Sequence, residues 1–307
     1  MITPPKPFTN PLLLSLLMGI PFVVLFVIAR NLPVEPCEFL HEETYNEEGE
    51  LDYCGADETG FVDLSIRKWP MKIDFRPIGS LEKDEECKFE FKIEKADGSP
   101  LTSQDVALSH TQKIHLLAVD KTLNDYHHIH PVADSLFDGV WHFSLTPKLA
   151  GKYSVFLDFI PQKSPRRVLI SSSFEVVGKS QSPVKREECL VFSKDKFDFE
   201  LIKIPAEPGQ DQIQLRLLAR DKKGHDITLH PVMGAFAHMV AFDKNVNGFA
   251  HLHPLNEDLD NIQKTTFQGP LTFGFSPPGE GVYRLWAQVR TAIEEEVFIP
   301  FDLKIGS

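Results

Sequence analysis

"HLLAVDKTLNDYHHIHP", residues 115–131, and "HMVAFDKNVNGFAHLHP", residues 238–254, are one 17-residue phrase written twice in a single chain. Eight positions are identical and six exchange one apolar residue for another. His115, His128 and His130 fall on His238, His251 and His253, whereas His127 falls on Ala250. On a strand, residues two apart share a face, so the two histidines of each His-x-His-Pro stand together. Ile129 and Leu252 then point the other way, into a core. Pro131 and Pro254 end the strand by removing a backbone donor. His115 and His238 open the preceding strand, and the second copy carries Asn247-Gly248 in the connection, a hairpin signal. A register that sets the first histidine opposite one of the pair gathers three imidazoles; a slip of one residue sends it to the other face.

The surroundings repeat as well. Gly139, Phe143, Pro147, Gly151 and Tyr153 align with Gly269, Phe273, Pro277, Gly281 and Tyr283. Short alternating runs such as "CKFEFKIEKADGSP" (87–100) and "DQIQLRLLARDKKG" (211–224) end in turn signals, and no helical period shows beyond residue 30. Many short strands at regular spacing indicate an all-β chain of two tandem antiparallel, immunoglobulin-like or cupredoxin-like sandwiches. The expected organisation is an N-terminal anchor over 1–30, an acidic tether or cap over 31–66, and sandwich one over 67–178. A polar linker over 179–188 and sandwich two over 189–307 complete it.

Residues 11–29, "PLLLSLLMGIPFVVLFVIA", carry no charge. At 1.5 Å per residue they reach roughly 28 Å, which predicts one transmembrane helix with a cleaved signal peptide as the rival reading. Either reading places the rest outside the cytoplasm, in the periplasm or beyond, membrane-anchored in the first case. The net charge of −12 leaves no basic stripe, which excludes a nucleic-acid partner. Of the four cysteines, Cys37 and Cys54 bracket a short acidic loop and are the expected disulfide; Cys87 and Cys189 remain, and four cysteines allow three connectivities. His41 lies in that loop, but the spacing matches no zinc pattern.

Three imidazoles without a thiolate suit copper or zinc, with copper favoured at equal availability. The candidate metal ligands are His115, His128 and His130 in the first sandwich and His238, His251 and His253 in the second. Strand parity argues against His110, Met233 and Met239 as further ligands, and Asp120-Lys121 and Asp243-Lys244 read as turn residues. Gly234, Ala235 and Ala237 are expected to leave space around His238, beside an apolar wall of Phe236, Val240 and Phe242. In the first copy His127 and Tyr126 are expected to crowd the site, so the two sites should be unequal.

Gly151-Lys-Tyr153 and Gly281-Val-Tyr283 are similar to the start of the last ligand-bearing strand of cupredoxins. The cysteine that follows there is replaced by Leu157 and Ala287, which excludes a blue-copper or binuclear electron-transfer centre of that family's kind. The repeated phrase, "GAFAHMVAFD" (234–243) and "GVYRLWAQV" (281–289) resemble YtkA-like and other immunoglobulin-like modules of the bacterial envelope. The resemblance covers 210–305 well and 85–177 less well, and it implies an extracytoplasmic sandwich that handles copper or other metals. No nucleophile elbow, phosphate loop or His-Glu-x-x-His helix is present. The chain therefore reads as a non-enzymatic metal-binding protein, serving a membrane protein complex or an envelope metalloenzyme. An accessory subunit with structural histidines is the alternative. A water-activating metal with Asp134 or Glu257 as base is the enzymatic one.

Overall fold

Residues 11–31, 44–45, 51–52, 60–66, 69–164, 166–206, 211–255, 266–292 and 295–306 are described by a computed structural model. The expected Cys37–Cys54 pair, His41 and Glu257 lie outside them. Two units separate, 1–37 and 38–307. The first contains α1 (Pro11–Arg30), whose last turn accepts the Asn31 side-chain amide on the Val27 carbonyl at 2.7 Å. Among the described residues no helix is long and apolar enough to cross a membrane. The membrane span expected over 11–29 is therefore not found among the described residues.

The second unit is β throughout. A small hairpin, β1 (Thr44–Tyr45) and β2 (Leu51–Asp52), precedes β3 (Val62–Asp63). Next come β4 (Lys72–Ile78), β5 (Cys87–Glu94), β6 (His115–Asp120), β7 (Tyr126–Ile129) and β8 (Val132–Ala133), then β9 (Val140–Leu145), β10 (Gly151–Phe159) and β11 (Val168–Val176). They form two antiparallel sheets, β4-β5-β9-β8 and β11-β10-β6-β7. The rest repeats the plan with β12 (Val191–Lys194), β13 (Phe197–Ile204), β14 (Ile213–Asp221) and β15 (Ala237–Phe242). It closes with β16 (Gly248–Leu252), β17 (Leu271–Phe275), β18 (Gly281–Ala292) and β19 (Glu295–Ile305). Their sheets are β12-β13-β14-β17 and β19-β18-β15-β16-β3.

Each sandwich closes over its own core, because alternate residues of facing strands are apolar. Phe89, Phe91, Trp141, Val155 and Leu157 sit in the first, and Leu215, Phe273, Leu285, Ile299 and Met239 in the second. Met239 is thereby spent in the core, opposite His238. Tyr153 and Tyr283 donate to the carbonyls of Leu149 and Gly279, four residues back, at 3.1 and 2.9 Å; this is the tyrosine corner that locks a sandwich's strand crossing. Among the described residues Cys87, buried in the first core, and Cys189, exposed, are free thiols.

β6 and β15 are buried on both faces. Their second faces are covered by each other's sandwich. Tyr126 lies against Phe242, Trp286 and Phe298 with ring centroids 5.7–5.8 Å apart, and Phe156 packs on Phe249 at 5.3 Å. The linker contributes a clamp. Arg186 donates to Asn124 Oδ1 at 2.7 Å and to the Thr122 carbonyl in the first sandwich, and lies 3.3 Å from Asp302 in the second. Nor is the 31–66 segment only a tether, since β3 adds an edge strand to β16.

The second hairpin is not the expected Asn-Gly turn. Its left-handed residue is Val246, matching Leu123 in the first copy, at φ 57° and 61°. Asp243 accepts the backbone N–H of Asn245 and Asn247, and Asp120 that of Thr122 and Asn124, so both aspartates build turns. Gly248 has another reason to be glycine: a Cβ there would meet the Val62 carbonyl oxygen at 1.8 Å. Gly248→Ala should therefore detach β3 and lower stability by about 1–3 kcal/mol, read by thermal melting, with β15 and β16 still paired.

Candidate metal centre

The register that sequence leaves open is settled by pairing. Leu116 faces Ile129 and Leu117 faces His128, which carries His115 opposite His130. In the second sandwich Met239 faces Leu252 and Val240 faces His251, so His238 falls opposite His253. Each set of three histidines therefore shares one face, with one ring nitrogen per residue all within 4.8 Å of one another. This is a donor set that can hold a metal ion in each copy.

The tautomers follow from the partners. His115 Nε2 is 2.8 Å from the Ser109 carbonyl and His238 Nε2 is 2.9 Å from that of Val232, six residues back in both copies. A carbonyl only accepts, so each Nε2 carries the proton and each Nδ1 a lone pair. His128 Nδ1 lies 2.9 Å from Gln288 Oε1, in the other sandwich. Gln288 Nε2 donates to Glu296 at 2.7 Å, which fixes the amide's orientation and leaves His128 Nε2 as an acceptor. That acceptor stands 3.1 Å from the acceptor His115 Nδ1. Two lone pairs facing each other at this distance repel, and a cation between them removes the conflict. Metal–imidazole bonds of about 2.0–2.1 Å in a tetrahedral set separate two nitrogens by roughly 3.3 Å.

The second triad shows the same need differently. His238 Nδ1, His251 Nε2 and both nitrogens of His253 are buried with no protein partner. Each such atom costs about 1–3 kcal/mol unless something binds it. His251 Nδ1 lies 3.6 Å from Asp158 Oδ2, within electrostatic reach but beyond a hydrogen bond. Asp158 is itself held in a buried ion pair with Arg167, Nε to Oδ1 at 2.7 Å. Asp158 pairs with His115 and Gln288 with His238, so they are equivalent positions. Each sandwich thus places a polar side chain beside a histidine of the other, and the Gln288 hydrogen bond is of the kind that orients metal-bound imidazoles.

The two triads adjoin. His128 and His251 rings are 5.6 Å apart, equal to the widest separation within a triad, and His115 and His251 are 5.7 Å apart. A seventh histidine completes the cluster. His110 stacks on His253 at 4.0 Å between centroids. Parity does not govern it, because His110 and Thr111 form a left-handed turn at φ 50° and 68°, matched by Met233 and Gly234 at 52° and 78°. The two turns meet: a Cβ on Gly234 would lie 3.8 Å from the Thr111 methyl. Repetition of a histidine and a methionine just before a Gly or Thr was the signal available for this turn.

Other expectations are corrected here. His127 faces away from the cluster, beside Asp125 at 3.1 Å and near Tyr153, and does not crowd the site. Phe236 packs against the second core and Phe267 rather than forming a wall at His238. Val240 and Phe242 do lie on that face, Phe242 against Tyr126 and Phe156. The space expected around His238 is taken up by the first sandwich's turn. Asp134 accepts from the Leu136 N–H and pairs with His142 at 2.8 Å, which commits it to its own loop.

Residues 71–174 and 193–306 both match a family model described as Domain of unknown function (DUF8832). Together they make up more than half of the chain. The chain belongs to this family, in two adjacent copies. The match does not name the YtkA-like modules that the sequence resembles. Three solved structures align at low similarity: domains 5–6 of the S-layer protein SbsC, at 9% identity and TM-score 0.23 over 75% of this chain and 95% of that one. A DUF4785 family protein from Legionella pneumophila gives 9% and 0.25 over 76% and 57%. MtrC from Shewanella baltica gives 6% and 0.22 over 75% and 68%. No curated protein matches.

Burial, and then repulsion between neighbouring imidazoles, holds His128, His251 and His253 well below the ordinary histidine range and His130 at about 3; burial, then repulsion from His115, brings His238 to about 3. The unfolded chain takes up these protons near ~6.5. Between there and about 3 the unfolded state binds more protons, so stability falls as pH falls. Thermal melts of metal-free protein should show a falling Tm from pH 7 to 5, with a shallower fall in a His128→Gln/His251→Gln double variant.

Proposed function

We propose that this protein binds copper through its histidine triads and serves metal handling or delivery, with zinc as the competing ion. One observation carries the reading: His115 Nδ1 and His128 Nε2, both fixed as acceptors, face each other at 3.1 Å. Hydrogen bonding alone does not account for that contact, whereas a shared cation does. The donors are neutral imidazoles with no thiolate and no carboxylate in either triad, a set that suits copper over harder ions. His130 is half-buried and borders a surface groove of about 450 Å³ with Ile129, Val132 and His142, which supplies a route for an ion to the first triad. The apolar run 11–29 supports an extracytoplasmic setting, as an export segment, and an envelope metalloenzyme or membrane complex as the recipient.

Protein purified without chelator or affinity tag should retain copper or zinc, and the stripped chain should take up Cu(II) at micromolar concentration. A chain that takes up neither, with His253→Ala reducing only stability, would make the histidines structural and the protein an accessory subunit. Gln288 provides a sharper check. In a His253→Ala background, Gln288→Leu should weaken the first triad's affinity about 10–100-fold although the residue lies in the other sandwich. Competition titration against a chelator measures it.

A further inference from the structure

Resting on the copper-binding reading above, we propose that the two triads act as one binuclear centre, holding two ions close enough to share a bridging anion at the interface of the sandwiches. Three observations meet here. The rings of one triad touch those of the other: His115 and His128 lie 5.7 and 5.6 Å from His251, and His128 lies 6.2 Å from His238. Rings within a triad are 4.6–5.6 Å apart, so the cross-triad contacts begin where the within-triad range ends and the two sets form one continuous cluster. The supports also cross the interface. Gln288 of the second sandwich orients His128 of the first, and Asp158 of the first faces His251 of the second.

Charge completes the argument. Six neutral imidazoles bring no negative charge to two cations. The nearest carboxylate, Asp158, is already paired with Arg167, and Glu296 stands behind Gln288 and pairs with Arg290 at 2.6 Å. His238, His251 and His253 are each at most 3% exposed, so solvent does not screen that charge. Bare cations in such a place are costly. A three-nitrogen set leaves a coordination position open on each ion. One small anion between the two open positions fills both and offsets part of the charge. With no thiolate at Leu157 or Ala287, this differs in kind from a cupredoxin centre.

The test is Cu(II) titration of the full chain, with spin-integrated electron paramagnetic resonance at each addition. The expected result is two ions per chain and, at the second equivalent, an integrated signal well below two spins, because bridged ions couple. His130→Ala and His253→Ala should each bind one ion and give one full spin, with circular dichroism confirming that the sandwiches remain folded. Two ions giving two full, unbroadened spins would overturn the binuclear centre and leave the copper-binding reading intact. A single ion per wild-type chain would overturn it likewise. No Cu(II) uptake at all would instead overturn the copper-binding reading, and this inference with it.

Discussion

The face-to-face packing of β11-β10-β6-β7 on β19-β18-β15-β16-β3 is the constraint from which the rest follows. An antiparallel sheet ordinarily keeps one face wet. Here the second face of each histidine-bearing sheet is covered by the other sandwich, and the covering layer is aromatic at one end and imidazole at the other. Tyr126, Phe156, Phe242, Phe249 and Trp286 supply apolar contact, with the Trp286 indole N–H buried without a protein partner. The histidines bring ring nitrogens into the same dry layer. Burying them is favourable only where each nitrogen has a partner, and the backbone supplies one for His115 and for His238 but not for the rest.

That deficit explains the division of labour between the copies. The position beside the first histidine is Asp158 in one sandwich and Gln288 in the other, and the next strand offers Arg167 or Glu296 accordingly. A carboxylate backed by a cation becomes a neutral amide backed by a carboxylate, at the same two positions. A neutral amide holds His128 through a true hydrogen bond, whereas a paired carboxylate only faces His251 at 3.6 Å. Two equal phrases in the sequence therefore become two unequal environments. The inequality comes from β10 and β18 rather than from His127.

Local strain marks the same region. His110, Thr111, Met233, Leu123 and Val246 all take left-handed backbone conformations without being glycine. Such residues persist where the surroundings over-determine them. Two of these turns end at the carbonyls that fix His115 and His238, and two others set the hairpins that present His128 and His251. The strain is thus spent on aiming imidazoles.

Period-two alternation, the turn signals and the repeated phrase sufficed to read two tandem sandwiches and all six triad histidines, because side-chain direction on a strand is a local property. The His-x-His spacing likewise decided that each pair shares a face. Sequence could not decide the register that brings His115 opposite His130, since a slip of one residue leaves every local preference unchanged. It misplaced His110 and Phe236 because parity fails where the backbone leaves the strand, and it misread Gly248 because the strand that forbids a Cβ there comes from residue 62, far along the chain. Above all, a linear reading assigned one site to each domain. Only the tertiary structure could set the two triads against each other, because that juxtaposition depends on which sheet face the partner sandwich covers, and no local pattern encodes it.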